Sequence, residues 1–155
     1  MESKIIYSVP GVYDSLEHTG DVYIRARGEN ILELFENSAK ALFDTMTDIN
    51  KVSGVFEREV VVDGFDLENL LYRWLEAMLI LYYSENLVCS DIRAFSFRVK
   101  RSNSELSYEI RGMAYCEKFD LSKHEPRVEV KAATYSLMRV IKTEKEWLAY
   151  FVLDI

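Results

Sequence analysis

The stretch Trp147-Leu148-Ala149-Tyr150-Phe151-Val152-Leu153 decides the fold. Its apolar residues fall at odd and even positions alike, which is the pattern of a strand buried on both faces. The strand runs into Asp154 and Ile155, the last two residues of the sequence. Two carboxylates, the Asp154 side chain and the terminal carboxyl of Ile155, are therefore expected at the end of a core strand. Their repulsion and partial desolvation are costly unless a cation or several donors sit beside them. A hard cation meets that need.

Upstream, the periodicity changes twice. Asp21-Val22-Tyr23-Ile24-Arg25-Ala26-Arg27 alternates as a half-buried strand that Gly28 ends. Asn30 then caps a helix, with Glu33 completing a pair of the capping-box kind. Ile31, Leu34, Phe35, Leu42, Phe43 and Met46 recur at helical spacing as one apolar face as far as about Thr47. Phe56 to Asp63 reads as a strand. Asp66 caps a second helix whose Leu67, Leu70, Leu71, Trp74, Leu75, Met78 and Leu79 form a core stripe.

From Phe95 the period is two: Phe95, Phe97 and Val99 alternate with polar residues, and Ser102-Asn103-Ser104 turns the chain into Leu106, Tyr108 and Ile110 as a hairpin. Further strands are expected over Arg127 to Ala132, Tyr135 to Lys142 and Glu146 to Asp154. The sum is an α+β fold, a mixed or antiparallel sheet of about seven strands with two helices packed against it. Parallel pairing is open only around the helices.

Composition narrows the function classes. With 155 residues, 49% hydrophobic and 29% charged, the chain is long enough for a real core and reads as a single domain over residues 1–155. Its start lacks the long apolar core of a signal peptide, and no apolar run reaches the roughly 18 residues of a membrane span. A cytoplasmic protein without membrane partners is expected. Cys89 and Cys116 lack CxxC spacing, which disfavours zinc. Reduced thiols are the expectation, with a disulfide between them the alternative. The net charge is −7, and Arg25, Arg27, Arg98, Lys100, Arg101 and Arg111 are scattered among acidic neighbours, which disfavours direct binding to nucleic acid. An acidic surface suits docking on a basic protein instead.

Two polar clusters stand out. Glu17-His18-Thr19-Gly20-Asp21 sets two carboxylates, an imidazole and a hydroxyl at a strand entry, where they can hold a metal, position a polar substrate or simply satisfy backbone groups. Glu117-Lys118-Phe119-Asp120-Leu121-Ser122-Lys123-His124-Glu125-Pro126 is a charge-dense loop, followed by Glu129 and Lys131 on one side of a strand. No nucleophile with an adjacent base and no Gly-rich phosphate cradle is present.

Six segments together carry a family resemblance. They are His18-Thr19-Gly20-Asp21-Val22, Leu34 to Phe43 running on to Met46-Thr47-Asp48, Leu70-Leu71-Tyr72-Arg73-Trp74-Leu75, Glu117-x-x-Asp120-x-x-x-His124, Glu129-Val130-Lys131-Ala132-x-Thr134-Tyr135, and terminal Leu153-Asp154-Ile155. In this order, over nearly the whole chain, the sequence resembles archease. The resemblance implies a non-catalytic activator of an RtcB-type RNA ligase, which joins tRNA exons and other RNA ends using GTP and manganese. It further implies that the protein promotes guanylylation and repeated turnover of that ligase, with RNA expected to be contacted only indirectly.

The resemblance also implies a metal site on Asp21, Asp154 and Ile155, occupied by Ca²⁺, with Mg²⁺ or another divalent cation the alternative. Glu17, His18, Thr19, Glu117, Asp120, His124 and Lys131 become supporting or partner-facing groups, Lys131 as an internal ion-pair partner of the carboxylates. The sequence departs from the family pattern at Glu17 (Asp is usual), Gly20 (Ala), Cys116 (Gly) and Ser136 (His). Two other function classes stand beside the accessory factor. One is a metal-dependent enzyme using Asp21 and Asp154 with His18 or Glu17 as base. The other is a metal-stabilised scaffold. Modulation of an RNA methyltransferase is a different partner within the accessory class.

Overall fold

The computed structural model describes residues 3–155. Its elements follow in the order β1 (Ile5–Val9), β2 (Tyr13–Leu16), β3 (Val22–Gly28), α1 (Ile31–Met46), a 3-10 turn (Ile49–Lys51), β4 (Phe56–Gly64), α2 (Leu67–Glu85), β5 (Leu87–Ser102), β6 (Glu105–Lys118), β7 (Ala132–Ala133), β8 (Arg139–Lys142) and β9 (Trp147–Asp154). The fold is α+β, as the sequence indicates. Its nine strands among the described residues divide between two sheets. One is six-stranded in the order β1-β2-β3-β9-β7, with β8 also on β9; the other is three-stranded in the order β4-β6-β5. Every strand pair is antiparallel.

Both helices start where local chemistry dictates. The Asn30 side chain accepts the Glu33 N–H, and the Asp66 side chain accepts the Asn69 N–H, so each cap satisfies an otherwise orphaned donor. Glycine lets β3 run tightly against the first turn of α1, because a Cβ on Gly28 would lie 2.4 Å from the Leu34 nitrogen. α1 touches β3 and β9 of the larger sheet and β5 of the smaller one. It is therefore buried on most sides, with Asn37, Ser38 and Asp44 enclosed beside its apolar residues, where the sequence pattern suggested a single apolar face. The buried Trp74 ties α2 to α1, its Nε1–H donating to the Phe35 carbonyl at 2.9 Å.

The central strand β9 has its two faces in two apolar clusters. Phe151 and Leu153 join the main core, and Tyr150 and Val152 join Leu16 and Tyr23 on the far side. Burial on both faces is what its unbroken apolar run encodes.

Several strand boundaries differ from the sequence reading. Arg127 to Val130 do not form a strand: the Arg127 and Val128 N–H groups donate to the Met46 and Thr45 carbonyls, closing the C-terminal end of α1 instead of a ladder. The expected Tyr135–Lys142 strand is interrupted by a turn in which Leu137 has φ 55°, leaving only Arg139–Lys142. β1 and β2 give no periodic signal in the sequence, because they are short and lack clean alternation, β2 carrying the buried Asp14. Cys89 and Cys116 oppose each other in the β5–β6 register and form a disulfide, which corrects the expectation of reduced thiols. That pairing is a consequence of hairpin register, which residue spacing alone does not reveal.

Candidate functional site

The β3–β9 ladder pairs Val22 with Leu153, so one further step in the same register sets Asp21 opposite Asp154. Val22 and Leu153 point into the main core, and alternation sends Asp21 and Asp154 to the other face, with Tyr23 and Val152. Asp21 is half-buried and Asp154 exposed. Neither enters an ion pair among the described residues. On the other side of β9, Ala132 pairs with Asp154, and the Lys131 N–H donates to the Asp154 carbonyl at 2.7 Å, which brings Lys131 level with Ile155. Two like charges facing each other across a ladder repel, and no ion pair among the described residues offsets them.

The preceding turn prepares this end. Glu17, His18 and Thr19 are exposed, and the Glu17 N–H donates to the Lys4 carbonyl at 2.7 Å. The His18 ring meets the Tyr23 ring edge-on at 5.7 Å, on the face that Asp21 and Asp154 share. Gly20 has φ +81°, a left-handed conformation that a Cβ would strain. Among the described residues no three or more His, Cys, Asp or Glu side chains converge as a metal cluster. The candidate donor set is instead two side-chain carboxylates with the terminal carboxyl of Ile155. All its atoms are hard oxygens, which suits Ca²⁺ or Mg²⁺ and not zinc.

The second cluster folds on itself. Glu117 accepts from the Ser53 N–H at 2.8 Å, from Lys123 Nζ at 3.0 Å and from His124 Nε2 at 2.7 Å. Partial burial alone would raise its pKa, but these donors outweigh that and hold the carboxyl at about 2. His124 Nδ1 accepts the Asp120 N–H at 2.9 Å, which puts the ring proton on Nε2. The Asp120 carboxylate accepts from the Ser122 N–H and hydroxyl, and both bonds lower its pKa. His124 is 1% exposed with both ring nitrogens engaged, so it anchors the loop and cannot be a partner-facing group.

Lys131 also departs from expectation. It is exposed and forms no ion pair among the described residues, because only its backbone reaches the carboxylate end. Among the described residues no hydrogen bond or ion pair joins Glu117, Asp120 and His124 to the Asp21–Asp154 end; the two clusters are separately built. The roles of Ser53 and of Arg127, which hydrogen-bonds the buried Asp44 carboxylate at 3.2 Å, had no signal in the sequence, since each acts on a distant segment.

The fold and the acidic sheet end define a small α+β protein whose candidate site is made of hard oxygen donors. The model of the Archease protein family (MTH1598/TM1083) matches residues 13–155, and the chain belongs to that family. It is 46% identical over 143 residues to protein archease of Sulfurisphaera tokodaii, covering 92% of this chain and 98% of that one. To protein archease of Pyrococcus abyssi it is 44% identical over 144 residues, with the same coverage. The solution structure of Methanobacterium thermoautotrophicum protein 1598 superposes with a TM-score of 0.76 at 28% identity, over 94% of this chain and 99% of that one. The crystal structure of an archease from Thermotoga maritima, described as a possible chaperone, shares the fold with a TM-score of 0.52 at 21% identity, over 90% of this chain and 94% of that one. No helix among the described residues is long and apolar enough to cross a membrane.

Proposed function

We propose that this protein is a non-catalytic accessory factor that activates an RtcB-type RNA ligase in the cytoplasm, promoting guanylylation and multiple turnover in tRNA splicing and RNA repair. Membership of the archease family supports the accessory role. The observation that carries the mechanism is the register that sets Asp21 opposite Asp154 beside Ile155, with no ion pair to either carboxylate among the described residues. These three residues would hold a divalent cation, Ca²⁺ in the first instance, which supplies positive charge at the end of the sheet. Lys131, with its backbone fixed to Asp154 and its ammonium unpaired, and exposed Glu17, His18 and Thr19 surround that end as partner-facing groups. Glu117 and His124 act one step removed, by holding the loop that presents exposed Asp120.

The net charge of −7 favours attraction to a basic protein surface and disfavours naked RNA, so RNA is reached through the ligase. The deciding experiment incubates the protein with the ligase from the same source, GTP and manganese, and counts ligation turnovers with and without it. Multiple turnover only in its presence supports the reading. Unchanged guanylylation and unchanged turnover would refute it.

A further inference from the structure

A cleft of about 430 Å³ opens between the β1–β2 hairpin, α1, the 3-10 turn and the start of β5. It shares no lining residue with the Asp21–Asp154 end or with the loop after β6. Its walls are largely apolar, built from Val12, Ile49 and Val52 and from the Tyr7 and Tyr13 rings, which tilt against one another at 6.2 Å.

The charged groups of the cleft divide unequally. Asp44 is the one acid in the lining, and its carboxylate is filled from within the protein. Oδ2 accepts the Tyr13 hydroxyl at 2.6 Å, and Oδ1 accepts Arg127 Nη1 at 3.2 Å. Lys40 is the one base in the lining. It makes no hydrogen bond or ion pair among the described residues. Glu36, one turn back on α1, is outside the lining and turns its carboxylate to the Ala94 N–H at 2.8 Å.

Two further donors are uncommitted. The Asn50 side-chain amide and the Ser90 hydroxyl have no hydrogen-bond partner among the described residues. Ser90 lines the cleft for a backbone reason. The β5–β6 register shifts between Cys89 and Asp91, so Ser90 has no partner on β6, and a bulge of this kind re-aims the side chain it carries. Three segments distant in sequence thus bring an ammonium, an amide and a hydroxyl to one cleft.

We propose that this cleft binds a small organic phosphate, with a phosphate monoester head at Lys40, Asn50 and Ser90 and an apolar body against Tyr7, Val12 and Ile49. Apolar walls with a few placed polar groups are the composition of small-molecule sites, and the volume falls within their range of roughly 300–1,000 Å³. The ammonium of Lys40 can only donate, and the one carboxylate is filled, so the ligand must bring acceptors and negative charge. Three donors from separate segments match the three terminal oxygens of a phosphate monoester; a carboxylate has two. The rest of the chain, at net charge −7, repels such an anion, which confines its binding to this cleft. The inference does not rest on the ligase reading.

A titration in metal-free buffer, followed by amide chemical shifts, tests it with three probes: phenyl phosphate, inorganic phosphate and benzyl alcohol. Phenyl phosphate is expected to produce saturable shifts at the Lys40, Asn50 and Ser90 amides, with a Kd below about 1 mM. Inorganic phosphate, which lacks the body, and benzyl alcohol, which lacks the charge, should each bind at least tenfold more weakly. Lys40→Met should weaken phenyl phosphate at least tenfold while the rest of the spectrum stays that of the wild type. Should Lys40→Met fold poorly, Asn50→Ala, at an exposed position, serves in its place and should weaken binding about threefold. Absence of saturable shifts, shifts centred on Arg98 and Arg101 instead of the cleft, or variants that bind equally well would overturn the proposal. Inorganic phosphate binding as tightly as phenyl phosphate would mean an adventitious ion only, and would overturn it as well.

Discussion

The two acidic regions of this molecule are built from the same side chains and do opposite things with them. At the end of β3 and β9, Asp21 and Asp154 face one another without a cationic partner among the described residues. In the loop after β6, Glu117 is surrounded by Lys123, His124 and the Ser53 N–H. A carboxylate whose hydrogen bonds close within the chain stabilises the fold. One left facing a like charge spends stability and repays it only when something from outside arrives. The difference separates a structural cluster from the one proposed to bind, where charge density alone does not.

The largest expected effect comes from removing a carboxylate at the sheet end. Asp21→Ala or Asp154→Ala should abolish Ca²⁺ binding in a calorimetric titration and abolish ligase activation, while thermal unfolding in metal-free buffer stays close to wild type. Unfolding of both variants without metal would erase the contrast, because the sheet end would then be structural too. Glu117→Ala should do the reverse, leaving Ca²⁺ binding intact and lowering stability by about 1–3 kcal/mol through the unmet His124 and Ser53 donors.

The loop region is also pinned covalently, since Cys116 precedes Glu117 and is joined to Cys89. The bridge spans a sequence separation of 27, so replacing both cysteines by serine should cost about 3 kcal/mol in denaturant unfolding. The Ca²⁺ affinity of the sheet end should not change. A coupled loss of metal binding would show that the two regions are one unit.

A smaller effect follows from pH. Glu117 is held from its ordinary 4.5 down to about 2, so its stabilisation is fully present above the ordinary value. It is lost as pH falls from about 4.5 through about 2. After allowance for solvent screening this is on the order of 1–2 kcal/mol. Acid unfolding of Glu117→Gln should be flatter than wild type over that window; identical slopes would assign the acid sensitivity elsewhere. The smallest change is expected for Asp120→Ala, which removes the exposed turn bonds donated by the Ser122 N–H and hydroxyl, so thermal unfolding should stay close to wild type.

Legibility in the sequence followed the range of the interactions. The Asn30 and Asp66 caps bond three residues ahead, so both helices could be placed from the chain alone. The run Trp147–Leu153 encodes burial on both faces by composition, and the structure divides it between two apolar clusters. The acidic end could be named as a place where charge collects, because Asp154 follows that run directly. His124 illustrates the opposite case: a histidine in a charged loop looks exposed, and only the converging Glu117 side chain and Asp120 N–H show that it is buried.

The sequence by itself determined the two helices, the central strand and the inventory of acids, since each depends on neighbours a few residues away or on hydrophobic period. Tertiary structure decided the division of nine strands between two sheets, the Cys89–Cys116 bridge and the register that sets Asp21 against Asp154. It also decided the loss of a strand at Arg127, whose guanidinium reaches Asp44, 83 residues earlier. These outcomes rest on which distant segments compete for the same backbone donors and the same buried surface, and such a competition is settled only when the whole chain packs.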